Sequence, residues 1–322
     1  MKIICIYHSI DLDGWMSAAI VKHWHMNYLN SISNTISKVD TLDFIGYNYG
    51  QPIPDLSEYN KVIMCDISFP MEEMYDVLVN RIGNNLIWID HHISAIKNFD
   101  TWNQSYGNQY LEGLRDTNFA ACELTWKYFF PNETMPEIIR LLGMYDSFRH
   151  KRTDEETKVL EFQYGARMVI NNYEKAYEFL LANINHGNSV CESLHIDGAA
   201  IYRYLCTEAK QAYKNGFEII LERKDIDFSS NTSYTIHPKY KFICINKERF
   251  NPINFGIDYH KDGYDGAACF HYDGDRQVWA FSLYNDNGKV DCSQIAKQFG
   301  GGGHKGAAGF ILKDINKLKI WQ

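Results

Sequence analysis

The sequence predicts an α/β protein: an N-terminal parallel sheet with helices on both faces, a helical connector, and a smaller C-terminal α/β domain with a mixed sheet. Three observations carry this expectation. Short β-type runs alternate with helical patterns through the first half of the chain, as a helix-covered parallel sheet requires. Two long helical patterns poor in chemical groups follow, and from Gly216 onward the pattern turns to strands. At 322 residues and 45% hydrophobic content, the chain can give two domains a core each.

In chain order, residues 3–7 read as a buried strand and 15–24 as a helix. Further strands fall at 42–47, 62–65 and 86–89. Asn118 is the expected cap of a helix over 119–129 that Pro131 ends, and Pro136 suits the first turn of a helix over 135–145. Residues 154–183 and 190–214 look helical, the second as a connector. Strands follow at 217–221, 242–245, 267–272 and 278–284, with Asp273-Gly274-Asp275 as the hairpin turn between the last two. A short helix over 291–299 leads into Gly300–Gly303, His304 and a final apolar run. The expected division is 1–186, a connector over 187–215, and 216–322.

Composition excludes several classes. No stretch approaches the roughly 18 apolar residues of a membrane span, and Met1-Lys2 leads into a short strand instead of a secretory apolar region, so a cytoplasmic protein is expected. The eight cysteines form no Cys-x-x-Cys pair, which argues against a zinc ribbon or a redox motif. A net charge of −8 argues against capture of duplex DNA through its phosphates, while leaving room for a local site for a small anion.

The chemical signal lies where acids and histidines fall relative to these elements. His8 to Gly14 (His-Ser-Ile-Asp-Leu-Asp-Gly) follows the first strand, Asp66 the third, Asp90-His91-His92 the fourth, and Asp146 the helix ending near 145. The carboxyl ends of parallel strands line one edge, so Asp11, Asp13, Asp66, Asp90 and Asp146 should meet His8, His91 and His92 there. That many carboxylates repel one another unless cations cancel them. A mixed oxygen and imidazole set suits manganese first, with iron or zinc behind it; absent thiolates weaken zinc. Two other homes for Asp-Leu-Asp-Gly fit less well. A calcium loop fails because Gly14 comes too early, and a haloacid-dehalogenase-type site meets Trp15 where Thr or Val is normal.

With Asp90-His91-His92 in place among the other motifs, the sequence resembles the DHH phosphoesterase superfamily. Gly300-Gly301-Gly302-Gly303-His304 with Ala307-Ala308-Gly309 resembles the DHH-associated C-terminal domain of the oligoribonuclease (nanoRNase) and RecJ-like branch. The resemblance implies two divalent cations, manganese foremost, with magnesium, cobalt or iron as substitutes. It implies that His8, Asp11 and Asp66 bind one ion and that Asp13, Asp66, His91 and Asp146 bind the other. Asp90 then supports the site from behind, and His92 donates to the substrate phosphate. Two departures stand out. Asp11 follows His8 by one residue fewer than in the bacterial oligoribonucleases, and Ser282-Leu283-Tyr284 stands where those enzymes carry Ser-Leu-Arg.

The implied activity is hydrolysis of dinucleotides or short single-stranded oligonucleotides to mononucleotides. A 3′-phosphonucleotide phosphatase, a pyrophosphate or polyphosphate hydrolase, and a catalytically silent nucleotide sensor are the alternatives. Expected substrate contacts are Gly301, Gly302 and Gly303, whose backbone lets a phosphate approach closely, with His304, Lys305 and Tyr284, the last stacking on a base. Arg149 and His150 are expected either to line the site or to cap the preceding helix. No membrane partner is expected, and a homodimer is compatible with the sequence.

Overall fold

The computed structural model describes residues 1–32, 40–82, 85–105, 107, 110–222, 238–248 and 250–317. Two compact units form, Met1–Ile201 and Tyr202–Gln322.

In the first unit, β1 (Lys2–His8), α1 (Leu12–Ile32), β2 (Thr41–Tyr47) and β3 (Lys61–Cys65) lead to α2 (Met71–Tyr75) and a π-helical segment (Asp76–Ile82). Then come β4 (Leu86–Ile89), α3 (Ile93–Ser105), α4 (Ala121–Phe129), α5 (Glu137–Asp146), α6 (Glu156–Val169), α7 (Tyr173–His186) and α8 (Ser189–Lys214). The four strands are parallel, in the order β2-β1-β3-β4. Alternation along them sends side chains to two cores, as period-two geometry demands. Ile4, Ile6, Val62, Met64 and Trp88 face α2 and α3 through Met74, Ala95 and Phe99. Ile3, Cys5, Ile63, Cys65 and Ile89 face α1 and α4 through Ala18, Val21 and Leu124. Both faces are thus buried, which is why the strands read as nearly continuous apolar runs.

Register decides what the sheet presents at its edge. Tyr7 lies opposite Cys65, and Cys65 opposite Ile89. His8, Asp66 and Asp90 are the residues next along, so three chain segments leave neighbouring strands at one level, and adjacent strands are only about 4.8 Å apart.

The second unit contains β5 (Phe217–Glu222), β6 (Lys239–Asn246), a 3-10 turn (Pro252–Phe255), β7 (Gly266–Asp273), β8 (Val278–Tyr284), α9 (Cys292–Gln298), β9 (Gly302–Gly303) and β10 (Ala307–Leu312). Its sheet has the order β5-β6-β7-β8-β10-β9 and is mixed: β6 and β7 are parallel, and the other neighbours antiparallel. Cys292, Ile295 and Ala296 of α9 pack on Leu283, Phe281 and Phe310.

Several expectations need correction. Asn118 does not cap α4. Its own amide donates to Asp116, the N-cap position is Ala120, and the acceptor at that helix end is a distant side chain described below. Residues 154–183 do not form one helix but fall in α6 and α7. The break comes after Ile170, where Asn172 starts the new helix by accepting from the Lys175 amide at 2.8 Å. The helices following β3 and β4 have no counterpart in the sequence reading. The boundary between units is not one of these: it lies within α8, inside the connector expected over 187–215.

The turn from β1 into α1 is the tightest contact near the sheet edge. A Cβ on Gly14 would lie 2.0 Å from the His8 carbonyl oxygen and 2.8 Å from the His8 Cβ, neither of which can retreat without moving β1. Gly14→Ala is therefore expected to lower stability by about 1 to 3 kcal/mol through overpacking. The melting temperature should fall by about 2 to 4 °C per kcal/mol. An unchanged melting curve would show that the turn is looser than its geometry implies.

Candidate metal centre

Each acid at the edge is held by a different backbone device. Asp11 begins α1: one carboxylate oxygen accepts the Gly14 amide at 3.0 Å, and the other lies 2.8 Å from His8 Nδ1. Asp13, in the first turn of α1, accepts from the amides of Ala121 (2.9 Å) and Cys122 (2.7 Å). These are orphan donors at the N-terminus of α4, where the helix dipole also favours a negative charge. Asp66 has a left-handed backbone, φ 62°, and its amide donates to the Ile89 carbonyl at 2.9 Å. A non-glycine residue in that region is strained, and such strain concentrates at functional sites. Asp90 is fully buried; one oxygen accepts the amides of His91 (2.7 Å) and His92 (3.0 Å) and lies 2.8 Å from His92 Nδ1. That contact fixes His92 Nδ1 as the protonated nitrogen and orients the ring.

Together these devices gather the expected residues. His8 Nδ1 is 3.4 Å from Asp66 Oδ2. His91 Nε2 lies 3.2 Å from Asp146, 3.3 Å from Asp66 Oδ1 and 3.6 Å from Asp13. His92 Nδ1 is 3.7 Å from Asp66 Oδ1. Three groups can each offer ligand atoms lying within 4.8 Å of one another: His8, Asp11 and Asp66; Asp13, His91 and Asp146; and Asp66, His91 and His92. The first holds the residues expected around one ion and the second three of the four expected around the other; Asp66, the fourth, contacts both His8 and His91.

The donor chemistry fits divalent cations. Asp66 Oδ1 and Asp90 Oδ2 are buried with no hydrogen-bond partner, and a buried, unsatisfied carboxylate oxygen is costly. Burial of the imidazoles disfavours their charged forms, yet the surrounding acids prevail. Hydrogen bonds to Asp11 and Asp66 push His8 up to about 10, and Asp66, Asp146 and Asp13 push His91 up to about 11. Burial and the charges of Asp66 and Asp146 hold Asp13 well above the usual carboxylate range. Burial with Asp66 and Asp11 raises Asp146 to about 6. Burial also works against ionised Asp66, but the neighbouring imidazoles of His8, His91 and His92 keep it below the ordinary range. Without an ion, protons on the imidazoles do the balancing that cations would do.

Arg149 and His150 bond to groups at helix ends. Arg149 pairs with the buried Glu123, whose other contact is the Ala120 amide at the start of α4. His150 Nδ1 is 2.9 Å from the Met144 carbonyl and its ring stacks on Tyr145, so it closes the end of α5, the second of the two roles expected. In the second unit, Tyr284 ends β8 opposite Ala307, and Gly303 and Gly302 pair with Ala308 and Gly309. His304 and Lys305 occupy the turn from β9 to β10, where the His304 amide donates to Ala307 at 2.7 Å. The amides of Gly300 and Gly301 donate to Lys297 and Ala296 at the end of α9, and a Cβ on Gly301 would lie 2.0 Å from the Gly309 carbonyl. These two amides are thus committed within the fold, and close backbone packing by itself explains a glycine at 301.

Sequence reasoning missed Tyr49, whose ring lies 6.0 Å from that of His8 and 6.2 Å from that of His92. Its only sequence signal is the turn-forming Asn48-Tyr49-Gly50 after β2. It also missed α4 as the support for Asp13, which no local pattern could disclose.

Fold and site define an α/β protein in which a parallel sheet collects metal-competent acids and imidazoles at its carboxyl edge, followed by a mixed-sheet unit. The chain has the fold of a solved DHH domain. A solved DHH domain, described as that of a member of a family of ribosomal proteins, matches with a TM-score of 0.53 at 13% identity, covering 100% of this chain and 87% of that one. A pGpG-specific phosphodiesterase from Vibrio cholerae matches with a TM-score of 0.47 at 14% identity, covering 98% and 94%. Among curated proteins, an uncharacterized protein of Acanthamoeba polyphaga mimivirus is 23% identical over 316 residues, 97% of this chain and 68% of that one. No protein-family model matches the chain. Among the described residues, no helix is long and apolar enough to cross a membrane.

The raised imidazoles set a pH dependence for the metal-free protein. A raised folded-state pKa contributes stability that is fully present below the unfolded histidine value of about 6.5 and lost as pH rises through the folded value. For His8 and His91 that loss is complete only through about 10 and about 11. With chelator present, the melting temperature is expected to fall across this window, and His91→Gln should flatten the fall. A wild-type profile that is flat or rising from about pH 7 to about 9.5 would contradict the charge arrangement.

Proposed function

We propose that the chain is a metal-dependent phosphoesterase of the DHH superfamily that hydrolyses dinucleotides or short single-stranded oligonucleotides to mononucleotides. The observation that carries this reading is the meeting of two metal-competent groups at Asp66, whose buried, unsatisfied Oδ1 lies between His91 and His92. In this reading His8, Asp11 and Asp66 hold one ion; Asp13, Asp66, His91 and Asp146 hold the other. Manganese is the preferred occupant because the donors mix carboxylates with imidazoles and include no thiolate. A bound pair of divalent ions supplies an activated water and neutralises charge on the phosphoryl oxygens.

The protein's own contribution is placement. Asp11 and Asp13 are fixed by the two helix starts, so their carboxylates are positioned before any ion arrives. Asp90 holds the His92 ring through Nδ1, which suits His92 to donate to a phosphate oxygen. In the second unit, His304, Lys305, Tyr284 and the backbone of Gly302 and Gly303 are the proposed substrate contacts; the Gly301 amide is already bonded to Ala296.

The test is hydrolysis, with manganese, of diadenylate, longer oligonucleotides, adenosine 3′,5′-bisphosphate and inorganic pyrophosphate. Diadenylate or a short oligonucleotide should be cleaved fastest, and Asp66→Ala should lower the rate by at least about a hundredfold. Activity that survives both chelator and Asp66→Ala would refute the reading; preference for the bisphosphate or pyrophosphate would redirect it. Ion binding should also release protons, because ligation requires neutral imidazoles while His8 and His91 stand at about 10 and about 11 without an ion. Titration calorimetry with manganese at about pH 7, in two buffers of different ionisation enthalpy, should report net proton release. Its absence would remove His8 and His91 from the ligand set.

A further inference from the structure

We propose that Tyr49 is a nucleobase-stacking platform of this same site, which makes the substrate's base, and not only its phosphate, a determinant of recognition by the first unit. The inference rests on the phosphoesterase reading above and narrows its substrate to nucleotides. Tyr49 stands in the turn that follows β2. That turn is closed by the Asn48 amide donating to Gln51 Oε1 at 2.8 Å, the Gln51 amide donating to the Asn48 carbonyl at 3.2 Å, and Gly50 at φ 85°. The Tyr47 hydroxyl ties the turn back by donating to the Gln51 carbonyl at 2.9 Å.

Although its turn is closed by these bonds, Tyr49 stays 50% exposed. The ring lies beside the two imidazoles that flank Asp66, tilted 59° to His8 and nearly perpendicular, at 80°, to His92. None of these contacts covers it by stacking. A fixed, solvent-open aromatic face beside a phosphate-competent site is what a base one ribose away from the phosphate would stack on, and such stacking tolerates any base. Pyrophosphate or polyphosphate would have no use for it.

The test is equilibrium binding of adenosine 5′-monophosphate and of ribose 5-phosphate to the manganese-saturated full chain, as wild type, Tyr49→Ala and Tyr49→Phe. The wild type and Tyr49→Phe should prefer the nucleotide by about tenfold, the range expected for one stacked base. Tyr49→Ala should lose that preference and keep its affinity for ribose 5-phosphate within about twofold. Equal weakening of both ligands would assign Tyr49 a merely structural role, and an unchanged preference in Tyr49→Ala would place the base elsewhere; either result overturns the proposal. Hydrolysis of diadenylate by the wild type is measured alongside. If that reaction fails, the phosphodiesterase reading falls by itself, and the binding comparison still decides the stacking role.

Discussion

Negative charge crowded at one sheet edge is the constraint to which the rest of the first unit answers. Asp11, Asp13, Asp66, Asp90 and Asp146 would drive one another apart if each were simply placed there, and Asp13, Asp66 and Asp90 are buried from the water that would screen them. The fold supplies separate compensations. The start of α1 holds Asp11, and the start of α4 holds Asp13. The amides after β4 hold Asp90, and the imidazoles of His8 and His91 hold Asp66. Asp146, at the end of α5, reaches the cluster through His91, and burial with the charges of Asp66 and Asp11 raises it.

These compensations restrain the acids without saturating them. Oxygens are left over on Asp66 and Asp90, and the histidines balance charge by retaining protons. The same oxygens and nitrogens that hold these protons are the ones the proposed cations would use. The scaffold behind it is rigid for ordinary reasons: β1, β3 and β4 are apolar on both faces and packed by helices on each side. The strained backbone of Asp66 persists only in such surroundings, where the Ile89 carbonyl and the flanking strands allow it no alternative.

The glycine run of the second unit carries a different lesson. Read as a sequence, Gly300–Gly303 offers amides to an anion. In the fold, the first two of those amides finish α9, and Gly301 lets the chain pass against β10 with no room for a Cβ. A run of glycines signals unusual backbone demands, but whether a ligand or a neighbouring strand makes the demand is not written in the run itself.

The sequence by itself determined which groups would stand at the edge. An apolar run must end where burial ends, so the polar residues directly after residues 3–7, 62–65 and 86–89 are the ones a parallel sheet exposes, and His8, Asp66 and Asp90 were legible for that reason. The α/β class and the mixed sheet were legible from the same periodicities. The tertiary structure alone decided how those groups face one another. The register that levels Tyr7, Cys65 and Ile89, the α4 amides that seize Asp13 across 108 residues of chain, and the Tyr49 ring beside His8 and His92 are long-range contacts. Such contacts are fixed by packing of the whole unit, and no local pattern of residues encodes them.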